Sequence, residues 1–410
     1  MRTVLKSTAK VITIEENGTL RECVRLYFQY NKEIKPLEEG KIRIYKRRDT
    51  GFVFDWDEME YFDGMTPTED ELIFEDNIPI RGTFCEYIDR DVELGGVYVY
   101  WIAKGDSRPA GPLAVKIRDS RLMWHFDKIE REIKSLAADF EGVSAELEGY
   151  TVLGKPLYAL YAGNPDNRIG LVGAVHAGES GPEILLPALR TILTECPELL
   201  EKVGVALMPV VSADNREAMA CGVPPYIRKN AAGVDLNRNF DALWDVHDDS
   251  YGLSSFDPMS PTFHGREPDS EPEVKAVISV MEKAKPCAVF SYHHLCSVTS
   301  DRALTAHESA GDEEFLGRAN ALSRIYSDAF RASLDLPRNE DTDVVLGCSV
   351  GSLPSWCYKR RVPCFDFEMS PTTPMLYGAT HDKTTPEMLE AAVNAHTEGI
   401  KAALKHFADN

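Results

Sequence analysis

A histidine and a glutamate stand three positions apart at the end of an apolar run, 169–175, that is typical of a buried strand. They are His176 and Glu179, and a helix is predicted to begin shortly after them. Both side chains can therefore converge at the carboxyl edge of a sheet, where open α/β sheets keep their sites. Imidazole and carboxylate groups bind zinc well, but a catalytic zinc site needs three protein ligands and one position for water. The pair alone is weak support for a metal site, because a surface His and Glu would give the same pattern.

A further candidate ligand follows a second apolar run, 288–292, which leads into His293 and His294. Side chains alternate along a strand, so His293 shares a face with Ser291 and Val289, whereas His294 faces the other way. We therefore take His293 as the ligand. A histidine pair in a polar loop would be the better interpretation if this segment stood alone.

Between these segments lies a polar run, 226–240, that contains Gly-Val-Asp-Leu-Asn-Arg-Asn at 233–239. With it the sequence resembles the zinc carboxypeptidase family, metallopeptidase family M14, over about residues 120–370. The motif details are most similar to bacterial members that act on murein peptides or γ-glutamyl bonds. The matching pieces occur in the family's order: His176-x-x-Glu179, Arg228, the run 233–239, Ser270-Glu-Pro-Glu273, Tyr292-His293 and Phe365-Asp-Phe-Glu368.

The resemblance implies a metal site with one zinc ion per chain. His176, Glu179 and His293 would bind the ion. Asp235 would accept a hydrogen bond from the far nitrogen of His176 and so fix the tautomer of that ring.

The resemblance also implies the catalytic roles. Glu368 would be the general base toward a zinc-activated water, and Arg228 would polarise the scissile carbonyl. Asn237 and Arg238 would hold the free carboxylate of the substrate. The expected activity is hydrolysis of a C-terminal peptide or isopeptide-like bond in a peptide or peptidoglycan-peptide substrate.

Two positions depart from the digestive members of the family. No tyrosine lies between Ser327 and Trp356, so the residue that closes over the substrate in those enzymes is absent or supplied from elsewhere. Gly178 replaces the Arg of the family's HAxRE-like form, which removes a substrate contact. These departures leave the identity of the substrate open.

Asp366 is a third departure, because the family commonly has a small or hydroxylated residue there. It stands two positions before Glu368 on the same predicted strand, so it is expected to face the side-chain pocket. A buried carboxylate needs a cation. That cation is either Arg360, Arg361 or another protein base, or an ammonium or guanidinium group of the substrate.

Several other functions remain open. On the same scaffold, the chain could be an N-acyl amino acid deacylase or a deglutamylase-like cytosolic carboxypeptidase. The run 347–351 matches the G-x-S-x-G elbow of serine hydrolases around Ser349, with His381 as a partner, but no long helix is predicted after it. A catalytically dead binding module is disfavoured by the intact Glu368.

The elements that position these residues fall into two predicted domains. Residues 1–118 read as a small antiparallel β-sandwich of short strands separated by turns. Those strands are 23–30, 41–47, 51–54, 71–74, 82–88, 96–103 and 113–117. Helical spacing begins after 119, and residues 119–410 alternate strands with helices, which predicts an α/β catalytic domain with a mixed sheet flanked by helices. Its predicted strands are 169–175, 203–211, 288–292 and 362–367, and predicted helices include one with a capping box at 270–273 and one at 387–407.

Composition excludes some partners. The 410 residues carry a formal net charge of -21, which disfavours nucleic acid and anionic membrane surfaces. The basic runs 46–48 and 359–361 are expected to be solvated. No apolar stretch suggests a signal peptide or a membrane span, and nine cysteines without a CxxC pair predict reduced thiols, so a cytoplasmic location is expected.

Overall fold

A computed structural model describes residues 4–30, 41–52, 59–79, 84–246, 254–293, 302–338, 343–369 and 385–409. The chain divides into two compact units, each described by itself. The first comprises Met1–Met123 with Ala218–Tyr226, and the second comprises Trp124–Glu217 with Ile227–Asn410. The domain boundary expected at 118/119 stays a prediction.

The first unit contains two small antiparallel sheets, with strand orders β1-β2-β5 and β4-β3-β6-β7. The strands are β1 (Val4–Glu16), β2 (Thr19–Tyr30), β3 (Ile42–Asp49), β4 (Leu72–Asp76), β5 (Phe84–Asp89), β6 (Val97–Lys104) and β7 (Ala110–Lys116). Apolar side chains from both sheets share one core, among them Val24, Phe28, Ile44 and Tyr100. This agrees with the predicted small sandwich.

Two sequence expectations for this unit were wrong. Strand β1 was not predicted, although Asn17 and Gly18, both at positive φ, form the two-residue turn that joins it to β2. Lys46 was expected to be solvated, but its side chain is only 9% exposed and pairs with Asp89 at 2.9 Å. The predicted strand at 51–54 lies partly outside the described residues, and residues 51 and 52 are not in a strand.

The second unit is built on an eight-stranded mixed sheet with the order β14-β13-β15-β12-β10-β11-β9-β8. Strands β15, β12, β10 and β11 run parallel to one another at its centre. The strands are β8 (Val143–Tyr150), β9 (Pro156–Ala162), β10 (Arg168–Gly173), β11 (Gly204–Met208), β12 (Ala288–Tyr292), β13 (Arg302–Ala306), β14 (Val345–Cys348) and β15 (Cys364–Met369). The predicted mixed α/β sheet is thus confirmed, with the four predicted strands at its centre.

Helices flank this sheet and share its apolar core. They are α1 (Phe126–Asp139), α2 (Pro182–Glu195), α3 (Glu198–Lys202), α4 (Ala213–Ala220), α5 (Pro272–Ala284), α6 (Glu313–Ser333), α7 (Leu353–Tyr358) and α8 (Pro386–Asp409). Among the described residues, no helix has both the length and the hydropathy needed to cross a membrane. The eight described cysteines are free thiols, and Cys296 lies outside the described residues.

The predicted capping box at Ser270 is wrong. Helix α5 begins at Pro272, and Glu271 occupies the N-cap position without a side-chain cap. The Ser270 hydroxyl donates to the Glu271 carboxylate instead, and Glu273 accepts hydrogen bonds from the Val152 backbone and from the Asn230 amide. Both partners of the expected box are therefore engaged elsewhere.

Candidate metal centre

The two ligand segments meet because their strands are parallel neighbours. Strand β10 pairs in register with β12, so that Gly173 lies opposite Tyr292. His176 and Glu179 follow β10, and His293 follows β12 directly. The carboxyl ends of the two strands therefore deliver all three side chains to one edge of the sheet.

These three side chains form a buried cluster whose candidate ligand atoms all lie within 4.8 Å of one another. The Glu179 carboxylate is 2.6 Å from Nδ1 of His176 and 3.2 Å from Nδ1 of His293. Each residue is at most 1% exposed. Two imidazole nitrogens and one carboxylate that face a common point are the donor set of a His₂Glu zinc site, so the residues present fit a zinc ion.

The far nitrogens of both rings are bound by the protein. Nε2 of His176 lies 3.0 Å from Oδ1 of Asp235, and Nε2 of His293 lies 2.9 Å from the Ser291 hydroxyl. Nε2 of His293 is also 3.4 Å from Oδ1 of Asp366. Such partners fix the orientation of a ligating ring and favour a lone pair on the nitrogen that faces the metal. The structure thus brings Asp235 to His176 as expected, and adds Ser291 and Asp366 as partners of His293.

The charge of Asp235 follows from its neighbours. Burial alone would raise the pKa of this carboxyl, but Arg228 and His176 outweigh that effect and hold the pKa below its usual range. The Arg228 Nε donates to Oδ2 of Asp235 at 2.7 Å, and the Asn237 backbone donates to Oδ1 at 3.0 Å. An ionised Asp235 can hold a proton on Nε2 of His176, which leaves Nδ1 as the electron donor.

Glu179 is affected in the same way. Burial would raise the pKa of its carboxyl, but the adjacent His176 and His293 rings keep that pKa below its usual range. The carboxylate of Glu179 is therefore ionised, and with both rings in their neutral form the cluster is a donor set that suits a divalent cation.

Asn237 and Arg238 lie on a short 3-10 turn, Leu236–Arg238, and the Asp235 side chain at its start accepts a hydrogen bond from the Asn237 N–H. The Asn237 amide is buried, accepts from the Leu353 backbone at 3.0 Å and donates to Oδ2 of Asp366 at 2.9 Å. The Arg238 guanidinium donates to the backbone oxygen of Asn237 at 2.8 Å and is only partly buried. The structure therefore places Arg238 at an accessible position and Asn237 beneath the surface.

The glycine-rich run 347–351 packs against this turn. Gly351 has a φ of +69°, and a Cβ there would lie 2.2 Å from the backbone oxygen of Arg238. Ser349 of the G-x-S-x-G match is 2% exposed, and its backbone oxygen accepts from the Ser355 hydroxyl. Only the six-residue helix α7 follows, so the run lacks the long helix of a hydrolase elbow. His381 lies outside the described residues.

Asp366 is 1% exposed, as expected for a residue that faces inward from β15. Neither of the arginines that were expected to neutralise it is its partner: Arg360 lies 3.4 Å from the Trp356 ring centroid, and Arg361 pairs with Asp312. Its neighbours are instead His293 and Asn237, together with the Cys348 thiol at 3.6 Å. Burial would raise the pKa of Asp366, but His293 outweighs burial and lowers it.

The backbone of Glu368 lies in β15, while its side chain lies outside the described part of the chain. Strand β15 pairs in parallel with β12, with Phe367 opposite Tyr292, and His293 N–H donates to the Phe367 carbonyl. The backbone of Glu368, the next residue of β15, therefore lies near the same end of the strand pair as His293.

Sequence reasoning missed two of the residues that surround the ligands. Ser291 shares the strand face of His293, so strand alternation could have identified it as the ring's partner. Arg216 contacts the backbone between His176 and Glu179, and no motif in the sequence pointed to it.

Comparison with known proteins agrees with this geometry. The sequence profile of a family described as zinc carboxypeptidase matches residues 129–387. Murein peptide amidase A of Vibrio campbellii is 30% identical over 266 residues, which cover 64% of this chain and 87% of that protein. Human carboxypeptidase O is 26% identical over 259 residues, which cover 56% of this chain and 65% of that protein.

Solved structures show the same fold. Bovine thrombin-activatable fibrinolysis inhibitor, solved in complex with tick carboxypeptidase inhibitor, superposes with a TM-score of 0.57 at 19% identity, covering 71% of this chain and 99% of that one. Carboxypeptidase A from Helicoverpa armigera gives a TM-score of 0.57 at 15% identity, covering 90% of this chain and 98% of that one. At these identities the likeness supports the fold alone.

Proposed function

The chain belongs to the zinc carboxypeptidase family, and from that premise we propose that it hydrolyses a C-terminal peptide or isopeptide-like bond with one zinc ion held by His176, Glu179 and His293. It is a zinc metallopeptidase by family. The observation that carries the proposed site is the orientation of the two rings, which both turn Nδ1 toward Glu179 and bind the protein through Nε2. This arrangement presents two ring nitrogens and one carboxylate to a common point, which supports a metal site.

A zinc ion bound there supplies Lewis-acid polarisation of a carbonyl and lowers the pKa of a water molecule. Glu368 is the proposed proton acceptor: one carboxylate oxygen takes the proton of the attacking water and later passes it to the leaving nitrogen. Its support is the pairing of β15 with β12, which brings its backbone beside His293.

Arg228 and Arg238 are the proposed cationic groups that contact the substrate. Arg228 is anchored through Nε by Asp235 at 2.7 Å, and its side chain is 12% exposed, so it is oriented toward the site at little cost in side-chain entropy. We propose that it stabilises the negative charge that develops on the scissile carbonyl oxygen. Arg238, with Asn237 behind it, is proposed to bind the free carboxylate, because a planar guanidinium can bond both oxygens.

Murein peptides are the substrate class that we favour, since murein peptide amidase A is 30% identical to this chain over most of that protein's length. Murein peptides contain peptide and isopeptide-like bonds next to free carboxylates, which fits the proposed role of Arg238. Ordinary C-terminal peptides are the second candidate because carboxypeptidase O is also similar. An N-acyl amino acid deacylase and a deglutamylase-like activity remain outcomes of the test below.

The test compares matched substrates with a free or an amidated terminal carboxylate. Amidation is expected to cost at least about 2 kcal/mol of transition-state binding, roughly 30-fold in kcat/KM, since it leaves the proposed carboxylate site without its charged partner. Such pairs are prepared for three substrate types: an α-linked peptide, a γ-glutamyl-linked peptide and an N-acyl amino acid. Equal cleavage of free and amidated members would reject the carboxypeptidase assignment, and preference for the acyl compound would favour a deacylase.

A further inference from the structure

An arginine and a glutamate form an ion pair that is completely enclosed next to the candidate ligand loop. Arg216 of helix α4 is 0% exposed and Glu183 of helix α2 is 1% exposed, and the Arg216 Nη2 donates to Oε1 of Glu183. Oε1 also accepts a hydrogen bond from the Trp124 backbone at 2.7 Å. A buried ion pair of this kind often contributes little net stability compared with apolar residues of the same size. Its presence therefore calls for an explanation beyond packing.

The contacts of Arg216 with the candidate ligand loop offer such an explanation. Its Nη1 donates to two backbone carbonyls of the ligand loop, those of Ala177 at 3.1 Å and of Glu179 at 2.6 Å. Ala177 lies between the candidate ligands His176 and Glu179, and Glu179 is itself one of these ligands. The guanidinium thus fixes the peptide planes that set the direction of the Glu179 side chain.

The loop contains a strained backbone position, and its two ends approach each other closely. Ala174 has a φ of +46°, which is unusual for a residue with a side chain. A Cβ on Gly181 would lie 2.5 Å from the Ala174 nitrogen, so the two ends of the loop are in close contact. Backbone strain of this kind persists only where surrounding groups hold it.

We propose that Arg216, held by Glu183, is a positioning residue that sets the His176–Glu179 loop in its ligand geometry before a metal binds. This inference rests on the proposed zinc site. A loop that is already ordered loses less conformational entropy on binding, so the pair raises zinc affinity without touching the ion. A lysine cannot replace the arginine, because a single ammonium cannot reproduce the fixed fork that serves two carbonyls and a carboxylate.

The experiment compares Arg216→Lys and Glu183→Gln with wild type in the full chain. Zinc affinity is measured by competition with a chelator, and amide hydrogen exchange is measured in the metal-free proteins. Arg331→Lys is the matched control, since Arg331 is 8% exposed and its Nε donates to the Pro337 carbonyl at 2.7 Å, away from the ligand loop. The control should lose stability but keep wild-type zinc affinity.

Arg216→Lys is expected to bind zinc about tenfold or more weakly, the equivalent of one lost charge-assisted hydrogen bond. Exchange at 177–181 should be faster in the metal-free variant than in wild type or in the control. Glu183→Gln keeps an oxygen acceptor for Trp124 but removes the charge beside Arg216, so its zinc affinity should lie between those of Arg216→Lys and wild type.

Zinc affinity within twofold of wild type in both variants, with unchanged exchange at 177–181, would overturn the proposal. Failure of both variants to fold would also overturn it, because the pair would then be needed for folding and not for positioning the loop. Failure of wild type to bind zinc would reject the proposed function instead. The exchange measurement needs no metal, so it separates the two failures.

Discussion

At the scale of single residues, the site depends on which nitrogen of each histidine is bound by the protein. Asp235 holds Nε2 of His176, and Ser291 and Asp366 hold Nε2 of His293. The nitrogens that remain face Glu179. These partners fix the orientation of both rings, which is the usual means by which a protein tunes a metal site.

Glu368 is the residue whose role is tested most simply. Glu368→Gln removes the proposed proton acceptor but leaves the proposed ligands intact, so turnover should fall on the order of 10²-fold or more while zinc content stays at the wild-type level. Steady-state kinetics and elemental analysis measure the two quantities. A Gln variant with nearly normal turnover would show that another group accepts the proton.

Asp366 allows two roles that one experiment separates. Sequence reasoning left open whether a protein base or a cationic substrate group neutralises it, and its contacts with His293 and Asn237 suggest that it positions these residues. Because the carboxylate already has protein partners, Asp366→Asn should lower kcat/KM for all terminal residues by a similar factor and weaken zinc binding. Rates are profiled over peptides that differ only in the terminal residue. A preference for Lys, Arg or a diaminopimelate-type residue that disappears in Asp366→Asn, at unchanged zinc affinity, would instead establish the substrate contact.

At the scale of elements, three strand ends and one loop build the site. Strands β10, β12 and β15 are neighbours in one parallel part of the sheet, so the carboxyl ends that carry His176, His293 and the backbone of Glu368 lie at the same edge. The run 347–351 and the helix after it stabilise the turn that carries Asn237 and Arg238. The Phe240 N–H donates to the Gly351 carbonyl, and the Leu353 N–H of helix α7 donates to the Asn237 side chain. The position of Arg238, which we propose binds the substrate carboxylate, therefore depends on Gly351.

Gly351→Ala tests that dependence. An added Cβ would meet the Arg238 carbonyl at 2.2 Å in a backbone conformation with a φ of +69°, so the turn must shift. We expect a loss of about 2 kcal/mol or more in the free energy of unfolding, together with a lower kcat/KM for substrates that have a free carboxylate.

Gly142→Ala is the matched control for this variant. Gly142 has a φ of +78°, but nothing lies within 4 Å of its added Cβ. This control should lose only about 1 kcal/mol of stability and should keep its activity. Equal kinetic effects in the two variants would show that the contact with Arg238 is unimportant.

The same elements show what the sequence could and could not reveal. The buried strands β10, β12 and β15 were recognisable as apolar runs, and the motifs at their ends identified His176, His293 and Glu368 as candidates. The outer strands β8, β9, β13 and β14 were not predicted: β8 and β13 mix polar and apolar residues, and β14 has only four residues. The sequence placed Asp366 on a buried strand, but its partner Asn237 is 129 positions away, and pairing at that distance is decided by tertiary packing.

At the scale of the whole molecule, the matched region, residues 129–387, covers most of the second unit and the segment 218–226 of the first, whereas residues 1–123 of the first unit precede it. The network around the candidate ligands, from Asp235 and Arg228 to Asp366 and Asn237, lies within the second unit. We therefore propose the first unit as an accessory domain and the second as the catalytic one.

The central claim is that His176, Glu179 and His293 hold a zinc ion, and zinc content measured side by side in three proteins tests it most directly. Wild type and Glu368→Gln should each contain about one zinc per chain after dialysis, because their three ligands are intact. His293→Ala should lose the ion while remaining folded by circular dichroism. A folded His293→Ala protein with the same zinc content as wild type would contradict the account.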